Sequence, residues 1–103
     1  MAATQVQARD TVDDVRVEVH GELDVSSAPA LVAQVDAALA GRCRRLVLGL
    51  RDVAFTDSTG LAALIRCRRR AARADVELVL DVGDGPVARL LDRTGLRSVF
   101  STL

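Results

Sequence analysis

The sequence predicts an α/β domain in which a mixed, mostly parallel sheet packs with helices in the order ββαβαβαβ. Two observations predict this class. Apolar runs at residues 46–50 and 76–80 are too short for helices and fit strands buried on both faces. Helical patterns alternate with the strands, which implies parallel neighbours joined by right-handed crossovers. With 103 residues, half of them hydrophobic, we expect one domain over residues 1–103, structured from about residue 4.

The first two strands are predicted to form a hairpin. Residues 4–8 alternate and suit an edge strand, and residues 10–14 form a polar turn. Val15, Val17 and Val19 then alternate with polar side chains, which is typical of a strand with one buried face. A hairpin is the most economical connection between these two strands.

The first helix is predicted from a start signal and a stop signal in the sequence. Ser26 or Ser27 supplies the N-cap, and Pro29 lies in the first turn, where a missing N–H costs little. Gly41 ends the helix. A short basic connector then leads to the central strand.

A polar tetrad, Asp-Ser-Thr-Gly at residues 57–60, follows the central strand at a predicted strand-to-helix corner. Residues 51–55 carry the chain to it, and Phe55 is expected to anchor the corner. Asp57 suits the N-cap because its carboxylate can accept hydrogen bonds from free N–H groups of the first turn. Ser58 then holds the first helical position, with its hydroxyl near the surface. Helix capping alone would also explain why these residue types occur here. The pattern therefore leaves open whether the tetrad is only a cap or also a functional site.

The second helix is predicted to run to about residue 73 with two faces. The apolar face is predicted to hold Leu61, Leu64, Ile65, Arg68 and Ala72. The opposite face is predicted to hold Ala62, Ala63, Arg66, Arg69, Arg70 and Arg73. Its small alanines would let a partner approach closely, and its arginines suit an acidic surface. An ordinary solvated face and, more weakly, a nucleic-acid surface are the alternatives.

The remaining chain alternates strand and helix again. After the strand at residues 76–80, residues 81–86 are predicted to form a loop, whose Gly-x-Gly is a weak phosphate signal. A helix runs from Pro86 to a stop at Gly95, and residues 99–100 suit a last strand.

Residues 55–61, Phe-Thr-Asp-Ser-Thr-Gly-Leu after a buried strand, resemble the signature of the anti-sigma factor antagonists, which are STAS domains. Three further stretches resemble that family in the same order: residues 21–24 (Gly-Glu-Leu-Asp), 45–50 and 86–96. The resemblance covers about residues 4–103. It implies the STAS fold, with the family's C-terminal helix apparently absent.

The resemblance also implies a phosphorylation-switched regulatory protein rather than an enzyme. Ser58 matches the phosphorylated serine, Thr59 is a secondary candidate, and the supporting residues are Asp24 and Asp57. The expected partner interface holds Ser58, Thr59, Ala62, Ala63 and Arg66. The unphosphorylated domain would bind an anti-sigma factor that is also a serine kinase, and thereby free a sigma factor. A serine phosphatase of the PP2C type would reset the switch.

Two alternatives within the same fold stay open at this stage. One is an accessory subunit of a lipid-transport ATPase complex, in which Ser58 and Thr59 would be interface residues without phosphorylation. The other is a nucleotide-binding module that uses the corner and the loop at residues 83–85.

Composition argues against several other classes. Cys43 and Cys67 lie far apart in the sequence and His20 is the only histidine, so we expect no metal site, no cofactor and no catalytic base. Zero net charge and the lack of Trp and Tyr argue against nucleic-acid binding. No apolar run approaches the length of a membrane span and no signal peptide is visible, so we expect no membrane insertion and a cytoplasmic location.

Overall fold

The computed structural model describes the backbone of residues 5–10 and all atoms of residues 14–41 and 43–103. Within these residues one sheet carries helices that follow its parallel strands. The elements are β1 (Gln5–Asp10), β2 (Asp14–Leu23), α1 (Ala28–Ala40), β3 (Arg45–Gly49), β4 (Val53–Thr56), α2 (Ser58–Arg73), β5 (Glu77–Asp81), α3 (Pro86–Thr94), a 3-10 helix (Arg97–Val99) and β6 (Ser101–Thr102).

The strand order confirms the predicted fold class. It is β1-β2-β3-β5-β6, with β1 antiparallel to β2 and the other neighbours parallel. β4 is an additional short strand at residues that the sequence suggested only as a connection. It forms because β2 is longer than β3. Residues 14–18 of β2 pair with β3, and the last residues of β2, Gly21 to Leu23, pair with β4.

Two predicted boundaries were wrong near the C-terminal end. Val99 lies in the 3-10 helix, and the last strand begins at Ser101, because the helix stop at Gly95 is followed by one more turn before the chain extends. Asp81 is the last residue of β5 and not part of the loop. Of the turn predicted at residues 10–14, Asp10 is the last residue of β1 and Asp14 the first of β2. Its residues 11–13 lie outside the described residues, as do the connector residue 42 and the predicted start at residue 4.

The core lies between the helices and one face of the sheet. Val15, Val17 and Val19 are buried there, as their alternation predicts. α2, however, buries a different face from the predicted one, formed by Gly60, Ala63, Leu64, Cys67 and Ala71. These mostly small residues let the helix lie close to its neighbours, whereas the larger Leu61 and Ile65 flank the contact and are only half-buried.

Arg68 therefore does not lie on the buried face. Its side chain is exposed, and its Nε donates a hydrogen bond to the carbonyl oxygen of Val99 at 3.0 Å. None of the described helices has both the length and the hydropathy needed to cross a lipid bilayer. No cluster of three or more His, Cys, Asp or Glu side chains is placed to hold a metal among the described residues.

A buried carboxylate fixes the turn that leads into β4. Asp81 is only 6% exposed, and its two oxygens accept hydrogen bonds from Arg16 Nη2 at 2.7 Å and Arg51 Nε at 2.5 Å. Arg16 also pairs with Glu18. The hydrogen bond from Arg16, and to a smaller extent that from Arg51, holds the pKa of Asp81 below its ordinary value. The sequence offered no sign of this network, since Asp81 reads as a loop residue.

We expect Asp81→Asn to lower the free energy of unfolding at neutral pH by about 1–3 kcal/mol, because it weakens two charge-assisted hydrogen bonds at a buried position. The folded-state pKa is depressed, so this stabilisation is complete above the unfolded pKa of about 3.9 and is lost as the pH falls through the lower folded value. Urea denaturation of both proteins at pH 7 and pH 3 should show the difference shrinking in acid. An equal difference at both pH values would contradict this role for the carboxylate.

Candidate functional site

The candidate site lies where two neighbouring parallel strands end. Leu23 of β2 and Thr56 of β4 are register partners, and the Thr56 hydroxyl donates a hydrogen bond to the Leu23 carbonyl at 3.0 Å. Asp24 directly follows β2, and Asp57 directly follows β4. The structure therefore brings the predicted Gly-Glu-Leu-Asp segment and the Asp-Ser-Thr-Gly tetrad to the same end of the sheet, as expected of carboxyl ends of adjacent parallel strands.

Asp57 is the N-cap of α2, which confirms the prediction from its position. Its backbone is extended, and its Oδ1 accepts from the N–H groups of Thr59 at 3.0 Å and Gly60 at 3.2 Å. Such a cap contributes about 0.5–2 kcal/mol to stability. Oδ1 of Asp57 therefore satisfies two N–H groups of the first turn and stabilises the start of α2.

Ser58 is the first residue of α2, and its side chain is exposed. Its hydroxyl has no hydrogen-bond partner among the residues that the structure describes. Thr59 is half-buried in the same turn, with its N–H taken by Asp57. Of the two hydroxyls in the tetrad, that of Ser58 is the more accessible to another protein.

Gly60 allows the first turn of α2 to rest directly on the end of β2. A Cβ atom at this position would lie 2.3 Å from Thr56 Oγ1 and 2.4 Å from the Leu23 carbonyl oxygen. Both distances are far inside van der Waals contact, and one of the atoms belongs to the backbone. Glycine is therefore required here by close approach, and this approach sets where Ser58 emerges.

The segment after β2 is a tight turn stabilised by its own polar side chains. Asp24 Oδ1 accepts from the Ser26 N–H at 3.0 Å and the Ser26 hydroxyl at 2.7 Å, and these bonds lower the pKa of Asp24. Ser27 holds the N-cap position of α1 but makes no side-chain cap. Its buried hydroxyl instead donates to the Glu22 carbonyl at 2.6 Å and accepts from the Asp24 N–H at 3.1 Å.

The family model for the STAS domain matches residues 3–103 of the chain. The chain belongs to the STAS domain family. This STAS domain is 32% identical over 95 residues to the anti-sigma-B factor antagonist of Bacillus subtilis (strain 168), a match that covers 92% of this chain and 86% of the relative. It is 33% identical over 85 residues to the anti-sigma F factor antagonist of Paenibacillus polymyxa, with 82% of this chain and 73% of the relative covered.

A solved structure supports the same family at the level of the backbone. The crystal structure of an anti-sigma factor antagonist from Mycobacterium paratuberculosis superposes with a TM-score of 0.85 at 26% identity, over 97% of this chain and 85% of that one. The STAS domain described here therefore shares both its sequence pattern and nearly its whole fold with proteins of that name.

The two chain segments that meet at the site of this STAS domain each carry an exposed apolar side chain that the sequence did not reveal. Val25, in the turn after β2, is 73% exposed, and Phe55 on β4 is 48% exposed. Phe55 was expected to anchor the corner, but its side chain is exposed, whereas Val53, two residues earlier on β4, is buried. Phe55 instead lines a groove between β4 and α3 with residues including Pro86, Arg89 and Arg93.

The predicted interface residues on α2 separate into two groups. Ala62 and Arg66 are exposed on the same side as Ser58. Ala63 is fully buried against the core, so its expected place in a partner interface was wrong. The correction follows from the rotated buried face of α2, which includes position 63 and leaves position 62 outside.

Proposed function

We propose that this protein is an anti-sigma factor antagonist whose binding is switched by phosphorylation of Ser58. The observation that carries the proposal is the exposed hydroxyl of Ser58 in the first turn of α2, which Asp57 caps. The relatives named as antagonists support it over the lipid-transport subunit and over the nucleotide-binding module. In its unphosphorylated form the protein would bind an anti-sigma factor that is a serine kinase, and so release a sigma factor.

The corner favours a switch that acts on the partner and leaves the fold intact. A phosphate adds about 1.5 to 2 negative charges and three acceptor oxygens. At the N-terminus of α2 the helix dipole attracts that charge, but Asp57 already occupies the N–H groups of Thr59 and Gly60. The phosphate would therefore stay in solvent, and together with Asp57 and Asp24 it would make the corner strongly acidic.

The residues around Ser58 suit a protein interface that would be disrupted by such charge. Val25, directly after Asp24, and Phe55, two residues before Asp57, are exposed apolar side chains. Large apolar or aromatic anchors commonly carry most of the binding energy of an interface. Ala62 presents only a methyl group beside Ser58, so a partner backbone can come close. A dianion at the centre of this surface would have to be desolvated on binding, which is costly without a matching cation.

The catalytic groups of the cycle are proposed to come from the partners. In the kinase step the Ser58 oxygen attacks the γ-phosphorus of ATP, the bond to ADP breaks, and the hydroxyl proton passes to a base of the kinase. A serine phosphatase of the PP2C type would hydrolyse the phosphoserine. The protein would act in the cytoplasm, where sigma factors meet RNA polymerase.

The proposal predicts that the cognate anti-sigma factor kinase and ATP add one phosphate to the wild-type chain, and that Ser58→Ala accepts none. Intact-mass and peptide mass spectrometry would locate the group. Thr59→Ala serves as the matched control and should be phosphorylated like wild type, because the half-buried Thr59 is not the main acceptor. Labelling that persists in Ser58→Ala would refute the assignment of the site.

A further inference from the structure

The exposed side of α2 carries arginine side chains that form no contact with an opposite charge in the described part of the fold. α2 contains five arginines and no acidic residue. Arg68 donates to the Val99 carbonyl, and Arg70 pairs with Asp36 of α1 at 2.5 Å. The side chains of the other three make no ion pair or hydrogen bond with any residue that the structure describes. We call this set, Arg66, Arg69 and Arg73, the arginine stripe.

The arginine stripe continues the surface that contains the phosphoacceptor. Its members follow Ala62 at intervals of four, three and four residues, so they lie along one side of the helix together with Ser58. All of these residues are exposed. At 1.5 Å per residue, the stripe begins about 12 Å from Ser58 along the helix and ends about 22 Å from it.

We propose that the arginine stripe is a second docking element, which binds an acidic surface of the anti-sigma factor beside the surface that contacts Ser58. This inference rests on the proposed function and adds the chemistry of the partner to it. The chain has 14 arginines and 14 acidic residues, so the positive charge of α2 is a local concentration rather than part of a basic protein. Such segregated charge orients and accelerates the approach of a complementary partner.

The same observations disfavour other anionic partners. The stripe carries no aromatic side chain on which a base could stack, and zero net charge gives no general attraction to nucleic acid. The stripe also lacks the large apolar side chains with which a helix inserts into an anionic membrane surface, and the one apolar residue that lies between it and Ser58 on this side of α2 is Ala62. An acidic protein surface needs neither, because arginine forks bind carboxylates directly.

The test measures association with each purified anti-sigma factor kinase of the source organism by surface plasmon resonance, at 50 mM and 500 mM NaCl. We expect Arg69→Glu to slow association about tenfold at low salt and much less at high salt, as for steering charges at an interface rim. Arg68→Glu is the matched control, because it makes the same charge change one residue away, off the stripe, and should associate like wild type. The triple variant Arg66→Gln, Arg69→Gln, Arg73→Gln should lose the salt dependence without loss of helix by circular dichroism.

The inference would be overturned, with the proposed function left intact, by wild-type association rates in the Arg69→Glu and triple variants. Equal losses in Arg68→Glu and Arg69→Glu would have the same consequence. Binding of a 20-nucleotide RNA, a 20-base-pair DNA or phosphatidylglycerol vesicles that depends on the stripe, with unchanged kinase binding, would assign it to another partner and also overturn the inference. Failure of the wild-type chain to bind any of the kinases would refute the proposed function, and the inference with it.

Discussion

Gly60→Ala is expected to lower the free energy of unfolding by about 1–3 kcal/mol, which corresponds to a melting temperature about 5–15 °C lower. At an ordinary helix position the same substitution stabilises by about 1 kcal/mol. The sign is reversed here because the new methyl group would overlap the Leu23 carbonyl oxygen and the Thr56 hydroxyl. Thermal and urea denaturation would measure the change.

Gly41→Ala provides the matched control for this substitution. Gly41 follows α1 with a negative φ of −81°, and a Cβ there would come no closer than 3.4 Å to the Ala38 carbonyl oxygen. We expect its stability to stay within about 0.5 kcal/mol of wild type. Equal stability of Gly60→Ala and Gly41→Ala would show that α2 does not rest on the end of β2 as described.

Ser58→Asp is expected to weaken binding of the anti-sigma factor about 100-fold while changing the free energy of unfolding by less than about 1 kcal/mol. Binding suffers because a charge enters an interface flanked by exposed Val25 and Phe55. Stability is nearly unchanged because Ser58 is exposed at the positive end of the α2 dipole, and the repulsion from Asp57 offsets part of that attraction. Isothermal titration calorimetry and thermal denaturation measure the two quantities on one sample.

Ser58→Asn separates charge from shape in this prediction. Asparagine matches aspartate in size without its charge, so binding should fall much less than in Ser58→Asp. If Ser58→Asn weakened binding as strongly, bulk rather than charge would control the interface. A large drop in melting temperature for Ser58→Asp would show that the corner is packed and not presented to solvent.

The sequence predicted the architecture and the corner because both depend on local patterns. Short apolar runs fixed the strands, and an acidic residue before a helical pattern identified Asp57 as the cap, since both signals act within a few residues. The helix limits near Arg73 and Gly95 follow from the same kind of evidence. The parallel order then follows from the alternation of strands and helices.

The features that the sequence did not predict depend on tertiary contacts. The buried face of α2 was predicted wrongly because Leu61 and Ile65 are more hydrophobic than Ala63 and Cys67 and so dominate the sequence pattern. In the structure, close packing buries the smaller side chains instead. The exposure of Phe55 depends on the pairing of β4 with the end of β2, and no local sequence pattern predicts that pairing.

The Asp81 network was missed for the same reason. Its partners Arg16 and Arg51 lie 65 and 30 residues away in the chain, so nothing close to Asp81 in the sequence marks it as buried. The arginine stripe was visible in the sequence. The structure added which of its arginines are already engaged.

The most direct measurement uses the protein phosphorylated at Ser58 by its kinase and compares it with the unphosphorylated protein in one titration of the anti-sigma factor, after both melting temperatures have been recorded. We predict nearly equal melting temperatures, tight binding by the unphosphorylated form and a loss of binding by at least 100-fold in the phosphorylated form. Equal affinities of the two forms, or a phosphorylated form that has unfolded, would contradict a switch in which the corner accepts the phosphate and the partner rejects it.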